Sequence, residues 1–469
     1  MSTRTLRLIA LAAACAPAAC SPVTLSQDAA GETIDSGPAD AAAGLVTVIV
    51  LDDVAAEPVE GVNVAFIEAD GTLVSMQASD VSGRTQETVH AGALIAVGRV
   101  DDSGSETQYR VEVVAGVQPG DIIEMGLVEP QRSGNNLGTA TVSLAGTHPG
   151  ATTYLAGSCF LNDQTSAVTQ AQTFPYDFRD DRCTRGATNV DVLGIALDDS
   201  GPIAYTTIDD VMPNDTKVSG SWNTAINRVD FDLSNAPYDA GVQNDAKMFR
   251  DDIEYQFDQM LTPLDSILAG DGATFSLRYP AAFADMVQQT VEIDKMDNSA
   301  ISMWARNLSP VAGSQALDLT DDMLPLVDQA TFDFADPAHP TWNYRVNGAT
   351  PDATAQINVA FLRDVAGDEI FLVLVVAPPD NPSPFVMPEL PTSLIQRPGT
   401  GENVWPPPDA ATTLAYFSGI YEASFVTGGY EQFRQNRPTG VIFGEDQVPR
   451  NAPLGATVRI SAGGLLNFN

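Results

Sequence analysis

The chain has few basic residues, and lysine is the scarcest of the charged types. Its 469 residues include 23 Lys or Arg against 61 Asp or Glu, so the formal net charge is -38 at pH 7. Lysine occurs only at Lys217, Lys247 and Lys295. Because proteins bind nucleic-acid phosphates through clustered Lys and Arg, this composition predicts no nucleic-acid partner. Acidity of this size typically keeps an exported protein soluble, and binding of cations or of a basic partner is the alternative.

The sequence also lacks the motifs that mark common catalytic sites. Histidine occurs only at His90, His148 and His339, which lie in separate regions and form no HExxH pair. A GxSxG turn, a Ser-x-x-Lys pair, a P-loop and a GxGxxG fingerprint are absent from the sequence as well. The sequence therefore predicts no catalytic, cofactor-binding or metal-binding residue, and the three histidines are expected to be solvated.

Carboxylates are the abundant reactive groups of this chain. Glycosidases need two of them beside the sugar, but 61 acidic residues single out no pair. The sequence contains seven Asp-Asp pairs, such as Asp198-Asp199 before Ser200-Gly201. Calcium takes six to eight oxygen ligands, yet none of these pairs has the EF-hand spacing. Asp before Ser-Gly favours an ordinary turn in which the side chain bonds the local backbone, with Ca²⁺ in a loop as the alternative.

The hydrophobic runs near the start are too short for a membrane-spanning helix, which needs about 20 apolar residues. The first twenty residues instead contain Arg4 and Arg7, an apolar stretch at 8–14 and small residues before Cys20. A basic start, a short apolar core and small residues before a cleavage point are typical of a secretory signal. The sequence therefore predicts export.

This segment, residues 1–20, resembles the lipobox of bacterial lipoproteins, in which the cysteine becomes the lipidated first residue. Pro17 departs from the family pattern, which usually has an aliphatic residue three positions before the cysteine. Cys15 is an alternative lipidation site, and simple secretion is a third interpretation. The resemblance implies an exported protein held in the outer membrane by a lipid on Cys20, on the periplasmic or the cell-surface side. Residues 21–43, rich in Ala, Ser, Asp, Gly and Pro, are predicted to be a flexible tether.

Cys159 and Cys183 remain after Cys15 and Cys20 are assigned to the signal and the lipid. An even number of cysteines in an oxidising compartment predicts a disulfide between them. They are 24 residues apart, so the bond would stabilise the fold by about 3 kcal/mol in the chain-entropy account. A metal or redox pair is disfavoured because CxxC spacing is missing.

From residue 44 the pattern changes to short strands. Val62, Val64 and Phe66 alternate with Asn63 and Ala65, as in a half-buried strand. Several such strands separated by Asp-Gly and Ser-Gly turns predict a small β-sandwich at 44–128.

Two segments of this region carry a second resemblance. Residues 58–64 read PVEGVNV and residues 79–83 read SDVSG, and together they resemble carboxypeptidase-regulatory-like and bacterial immunoglobulin-like domains over about 44–126. Gly61 and Gly83 are expected to take turn conformations that a side chain would oppose. The resemblance implies an immunoglobulin-like β-sandwich that serves as a spacer or accessory module.

The rest of the chain is also predicted to be β. We expect a β-rich domain with the disulfide at 129–235 and a β-rich C-terminal domain at 236–469, and these could equally be one domain. Hairpins are predicted between 190–197 and 203–205 and between 357–361 and 370–376. In the second hairpin, the first strand alternates and is expected to have one solvent-exposed face, whereas the second strand is apolar throughout and typical of a central strand. Residues 249–261 fit both the helical and the strand period, and their neighbours favour strand. Residues 457–460 are predicted to form a closing strand.

Residues 378–408 hold ten prolines in 31 residues. Because proline cannot donate to a sheet ladder, this segment is predicted to be an extended strap that packs over the last domain or links to it. A polyproline ligand is the alternative. The tryptophans are expected in the core rather than in a sugar-stacking platform: Trp222, Trp304, Trp342 and Trp405.

The predicted fold class is mainly β, with an N-terminal immunoglobulin-like β-sandwich followed by one or more larger antiparallel β-sandwich domains. The leading functional hypothesis is a non-enzymatic cell-envelope lipoprotein that binds an envelope protein or glycan, or acts as a scaffold. An exported carbohydrate- or peptide-directed hydrolase, and an adhesin or surface-assembly subunit, are the alternatives. No cofactor is predicted apart from the Ca²⁺ alternative.

Overall fold

The computed structural model describes most of the chain from residue 43 onward. The described residues are 43–52, 57–101, 107–127, 135–157, 159–160, 173–180, 189–251, 253–256, 265–280, 282–297, 299–310, 313–348, 353–364, 369–380, 384–397, 399–407, 411–435, 448–449 and 452–465.

These residues form strands and one short helix. The strands of the first half are β1 Gly44–Asp52, β2 Asn63–Ile67, β3 Leu73–Ala78, β4 Arg84–Val89, β5 Ala93–Asp101, β6 Thr107–Val117, β7 Ile122–Leu127, β8 Asn135–Ser143, β9 Thr153–Gly157, β10 Cys159–Phe160, β11 Thr173–Asp180, β12 Val190–Asp198, β13 Gly201–Val211, β14 Thr216–Val218 and β15 Asn227–Ser234. The remaining elements are β16 Ala240–Arg250, β17 Ile253–Gln256, β18 Asp265–Ile267, β19 Ala273–Tyr279, β20 Met286–Lys295, β21 Ala300–Leu308, β22 Gln315–Asp318, β23 Val327–Asp333, β24 Thr341–Val346, β25 Ala355–Arg363, β26 Glu369–Ala377, β27 Phe385–Val386, β28 Thr412–Ala423, helix α1 Gly429–Gln435 and β29 Thr457–Leu465.

One long sheet runs through the molecule. It contains 14 strands, in the order β10-β17-β16-β20-β21-β29-β28-β25-β26-β6-β5-β2-β3, with β18 beside β16. Five three-stranded sheets accompany it: β4-β1-β7, β11-β8-β14, β13-β12-β9, β19-β15-β22 and β23-β24-β27. The predicted fold class, mainly β with sandwich packing, is confirmed.

The N-terminal sandwich packs the sheet β4-β1-β7 against the β6-β5-β2-β3 end of the long sheet. Its core contains Val46, Val48, Phe66 and Ile95, all fully buried. Val64 and Phe66 of β2 face this core, as the predicted alternation requires. Ala65 and Ile67 on the opposite face are also buried, in a second core cluster. The strand is therefore covered on both sides.

The predicted turn glycines have the expected backbone conformation. Gly61 has a φ of 81° and Gly83 a φ of 69°. A Cβ on Gly83 would lie 2.4 Å from the carbonyl oxygen of Val50, so both the conformation and the close approach require glycine.

The long sheet joins sequence-distant parts of the chain. Strand β6 pairs in parallel with β26, with Tyr109 opposite Phe371 and Val113 opposite Val375. Strand β29 lies between β21 and β28 and pairs antiparallel with both. It is the closing strand predicted from residues 457–460.

The other end of the long sheet is covered by the smaller sheets. One core cluster contains Ile195 of β12 and Val229 of β15 together with Met248 of β16 and Val287 of β20. A second packs Phe275 of β19 against β16, β20 and β21. The proposed limits between the domains at 129–235 and 236–469 stay a prediction.

The predicted hairpins are confirmed. Strands β12 and β13 pair antiparallel, as do β25 and β26. Strand β26 lies between β25 and β6 and is buried over most of its length, as expected of an apolar central strand. Residues 253–256 of the ambiguous segment form a strand, β17. Among the described residues, no helix has the length and hydropathy that crossing a membrane requires.

Candidate functional site

The most elaborate contact of the described chain is the junction between the N-terminal sandwich and the C-terminal part of the long sheet. Its backbone component is the parallel pairing of β6 with β26, which extends from Thr107 opposite Glu369 to Val114 opposite Val376. The rings of Tyr109 and Phe371 stack across it with centroids 5.0 Å apart. A continuous ladder of this kind leaves little freedom for the two parts to rotate against each other.

A polar group closes one end of this pairing. The Tyr109 hydroxyl donates to Glu369 Oε1 at 3.0 Å, and Arg397 of the proline-rich segment forms an ion pair with the same carboxylate. Burial, followed by the hydrogen bond to Glu369, raises the pKa of Tyr109 to about 12. The phenol therefore stays protonated and remains a donor at neutral pH.

Helix α1 binds the N-terminal sandwich through a buried ion pair. Arg434 donates from Nε to Asp121 Oδ2 at 2.7 Å and from Nη2 to Oδ1 at 3.1 Å. The two side chains are only 5% and 4% exposed. Asp121 also accepts from the backbone N–H of Gln118 and from Gln435 Nε2. Such a charge is stable in the interior only because every partner is in place.

Tyr430 of the same helix ties the two neighbouring strands together. Its hydroxyl lies 2.5 Å from the carbonyl oxygen of Ala115 in β6 and 3.2 Å from that of Val376 in β26. Burial raises the pKa of Tyr430 well above its usual value. The neutral hydroxyl thus bridges both sides of the junction.

The proline-rich segment covers one face of the junction. Leu394, Ile395 and Trp405 are buried in a cluster with residues of β2, β5, β6, β25 and β26. Asn63 Nδ2 of β2 donates to the carbonyl oxygens of Ser393 and Leu394. The described part of this segment, called the strap below, covers strands of the N-terminal sandwich as well as those of the C-terminal part.

A glycine makes this close approach possible. A Cβ on Gly98 of β5 would lie 2.4 Å from the carbonyl oxygen of Leu394, which is closer than atoms can pack. The strap therefore lies directly on the backbone of β5.

The sequence-predicted cysteine sites lie largely outside the described residues. Cys15, Cys20 and Cys183 belong to undescribed segments, and Cys159 is placed only as part of the backbone of β10. The lipid attachment and the disulfide therefore stay predictions.

Two of the three histidines and three of the four tryptophans are placed as expected. His90 pairs with Glu68 and His339 with Asp336, and both histidine side chains are largely exposed. His148 lies edge-on to the half-buried Trp222, with ring centroids 6.2 Å apart. The other tryptophans are core residues: Trp304, Trp342 and Trp405.

The Asp-rich turns use their carboxylates locally, as predicted. Asp198 Oδ1 accepts from the backbone N–H and the hydroxyl of Ser200, and Asp80 Oδ1 does the same with Ser82. Among the described residues, no three His, Cys, Asp or Glu side chains lie close enough together to hold a metal ion.

A shallow surface depression is lined by two carboxylates. It has a volume of about 350 Å³, and its lining includes Asn235, Asp318 and Asp321. The hydrogen bond from Asn235 holds the pKa of Asp318 below its usual value. Asp318 is therefore ionised at neutral pH, whereas a general acid needs a raised pKa.

An acidic cluster that the sequence did not single out lies on the long sheet. Glu292 and Asp294 are two residues apart on β20 and therefore project from the same face of the sheet. Asp245 of the neighbouring β16 lies opposite Thr290 and projects from that face as well. Burial, followed by the charges of Asp294 and Asp245, raises the pKa of Glu292. Burial raises the pKa of Asp294 as well. The spacing of Glu292 and Asp294 was a signal in the sequence, but only the strand pairing brings Asp245 beside them.

Comparisons with known proteins find only distant similarity, to solved structures. No protein-family model and no curated protein matches the chain. The Bacillus anthracis TIE protein is 8% identical, with 59% of this chain and 50% of that chain covered and a TM-score of 0.15. The shaft pilin spaA from Lactobacillus rhamnosus GG is 8% identical over 38% of this chain and 97% of that chain, with a TM-score of 0.15. BcpA, the major pilin subunit of Bacillus cereus, is 9% identical over 59% of this chain and 98% of that chain, with a TM-score of 0.14. The chain thus matches half the length of the TIE protein, and TM-scores this low carry no argument about function.

Proposed function

We propose that this chain is a non-enzymatic envelope lipoprotein whose described part acts as one rigid scaffold. The observation that carries the proposal is the junction, in which a shared sheet, a buried ion pair and the strap hold the N-terminal sandwich to the C-terminal part. Modules joined only by linkers move against each other by default. A sandwich joined in this way instead transmits force and orientation from a membrane tether to the whole body.

Nicking the chain tests the scaffold. A protease site is inserted in the undescribed segment 128–134, and the purified protein is cut there. We expect residues 44–127 to co-elute with the remainder under native conditions and to separate from it in denaturant. Separation of the two fragments under native conditions would show that the N-terminal sandwich is an independent spacer and would overturn the proposal.

Fractionation of cells tests the anchor. The Cys20→Ser variant is expected to move from the membrane to the soluble exported fraction, while the Cys15→Ser variant stays with the membrane. Membrane attachment of Cys20→Ser together with release of Cys15→Ser would place the lipid on Cys15. Attachment of both variants would argue against a lipoprotein.

Strand β3 favours a second candidate function, a subunit that assembles with copies of itself. It pairs with β2 on one side, and among the described residues no strand pairs with its other side. Its six residues carry no charge in a strongly acidic chain, and Leu73 and Val74 are 45% and 38% exposed. Natural edge strands usually carry charges or proline that prevent pairing. A neutral edge is the place where two copies repel each other least.

Sedimentation tests this second candidate. We expect a concentration-dependent dimer that the Val74→Lys variant abolishes, because a lysine on the edge opposes strand pairing. The matched control is Val81→Lys, which introduces the same charge at a turn residue that is 77% exposed. A protein that stays monomeric at all concentrations, or a dimer that survives Val74→Lys, would refute self-assembly through β3.

A further inference from the structure

Three polar side chains lie sealed inside the long sheet without a protein partner. Gln356 and Asn358 of β25 and Ser418 of β28 are all 0% exposed. Both amide atoms of Gln356, both of Asn358 and the hydroxyl oxygen of Ser418 make no hydrogen bond to the protein.

The three side chains form one group. Asn358 lies directly opposite Ser418, and Gln356 is two residues before Asn358. Residues opposite each other or two apart on a strand project from the same face. The five unpartnered atoms therefore converge on one region above β25 and β28.

The hairpin of β23 and β24 covers this region. Ile420, which lies opposite Gln356, packs with Leu324 and Val327, and Tyr344 and Val346 of β24 pack against them. The region is thus covered by the side chains of this cluster, which are apolar apart from the hydroxyl of Tyr344.

Three hydrogen bonds fasten the hairpin to the sheet around this region. The backbone N–H of Val327 donates to Ser461 Oγ at 3.0 Å, and Trp342 Nε1 donates to the carbonyl oxygen of Val359 at 3.1 Å. Tyr416 Oη donates to the carbonyl oxygen of Ala330 at 3.4 Å. A small molecule bound beneath the hairpin would exchange with solvent only when these hydrogen bonds break.

Two other buried amides of the same sheet, Gln288 and Asn307, are hydrogen-bonded by the protein itself. Gln288 Nε2 donates to Asn307 Oδ1 at 3.1 Å and to the carbonyl oxygen of Val448 at 2.7 Å, and Asn307 Nδ2 donates to the carbonyl oxygen of Pro449. The unpartnered state of Gln356, Asn358 and Ser418 is therefore not a general property of amides in this fold.

We infer that Gln356, Asn358 and Ser418 bind internal water beneath the β23-β24 hairpin. Leaving buried donors and acceptors unpaired costs as much as their full desolvation, so such groups normally have a partner. The three side chains are neutral and offer both donors and acceptors, which an anion or a cation satisfies only in part. A buried water makes about three hydrogen bonds, so five atoms require about two molecules.

Oxygen-17 magnetic relaxation dispersion of the water signal counts long-lived internal water. We expect the triple variant Gln356→Met, Asn358→Leu and Ser418→Ala to lose about two such molecules relative to the unsubstituted protein. The matched control, Gln288→Met, removes hydrogen bonds within the protein and is expected to keep the internal water molecules. An equal dispersion amplitude in the folded triple variant and the unsubstituted protein would overturn the inference.

A crystal structure of the unsubstituted protein gives an independent test that does not depend on the folding of any variant. Water density at hydrogen-bonding distance, roughly 2.7–3.2 Å, from the Asn358 and Gln356 amides would support the inference. Well-ordered side chains with no density between them, or with density for a larger ligand, would contradict it.

Discussion

The Arg434→Met substitution removes the cation from the buried ion pair of the junction and leaves the Asp121 carboxylate in place. Both partners are at most 5% exposed, and removing one partner of a buried pair typically costs about 3–5 kcal/mol. Asp121 keeps its hydrogen bonds from Gln118 and Gln435, which compensate part of the charge. We therefore expect a loss near the lower limit, about 3 kcal/mol.

Urea unfolding measures the total loss, and hydrogen exchange locates it. The exchange of backbone amides should increase most in β6, β7 and α1, because these elements meet at the ion pair. Strands β16 and β20, at the other end of the sheet, should keep their protection if the remainder stays folded.

The chain offers a matched control with the same bidentate chemistry at the surface. Arg345 binds both oxygens of Asp328 at 3.2 and 3.1 Å, but its side chain is 58% exposed. Arg345→Met should leave the free energy of unfolding nearly unchanged, because an exposed pair gains little over its hydration. Equal losses for Arg434→Met and Arg345→Met, or a loss below about 1 kcal/mol at Arg434, would refute the view that burial makes the junction pair critical.

Three further predictions concern the strap, the acidic cluster and the cysteines. Gly98→Ala should destabilise the fold by about 2 kcal/mol, because its Cβ would overlap the backbone of the strap. The control Gly313→Ala has open space around the new Cβ, so its stability should differ from that of the unsubstituted protein by no more than about 0.5 kcal/mol. Equal thermal midpoints for the two variants would contradict this prediction. The folded-state pKa of Glu292 lies above its unfolded value, so the folded state binds this proton more tightly and stability falls as pH rises above about 4.5. Glu292→Gln should reduce the slope of the unfolding free energy against pH by at most about 1.4 kcal/mol per pH unit. Equal slopes for the variant and the unsubstituted protein, measured by urea unfolding from pH 5 to 8, would count against this prediction. Cys159→Ser should cost about 3 kcal/mol if Cys183 is its partner, and two free thiols in the unsubstituted oxidised protein would exclude the disulfide.

Local patterns predicted the strands well. The apolar run of 370–376 predicted a central strand, and it is legible over a few residues. The alternation of 357–361 also predicted a strand, but the solvent-exposed face expected of it is wrong, because Asn358 and Ala360 are fully buried. The positive φ values at Gly61 and Gly83 follow from turn chemistry that is equally local.

The junction could not be predicted in the same way. Nothing in the sequence around Tyr109 indicates that its neighbour in the sheet is Phe371, because strand partners are selected by tertiary packing. Asp121 and Arg434 are ordinary members of a set of 61 acidic and 23 basic residues, and only the docking of α1 gives this pair its burial. Proline content predicted an extended strap, but its contact with β5 depends on Gly98, a single small residue with no signal of its own.

The position of β29 has a consequence for how the molecule is made. This strand follows every other described strand along the chain, yet it lies between β21 and β28 in the middle of the long sheet. During synthesis, the six strands from β10 to β21 including β18, and the seven from β28 to β3, lack the strand that joins them. If they form before β29 is made, they are two half-sheets, each with an open edge. Such edges invite pairing with other chains. Ribosomes that stall before residues 457–465 are made should therefore yield aggregation-prone intermediates, and chaperones that shield both edges should reduce that aggregation.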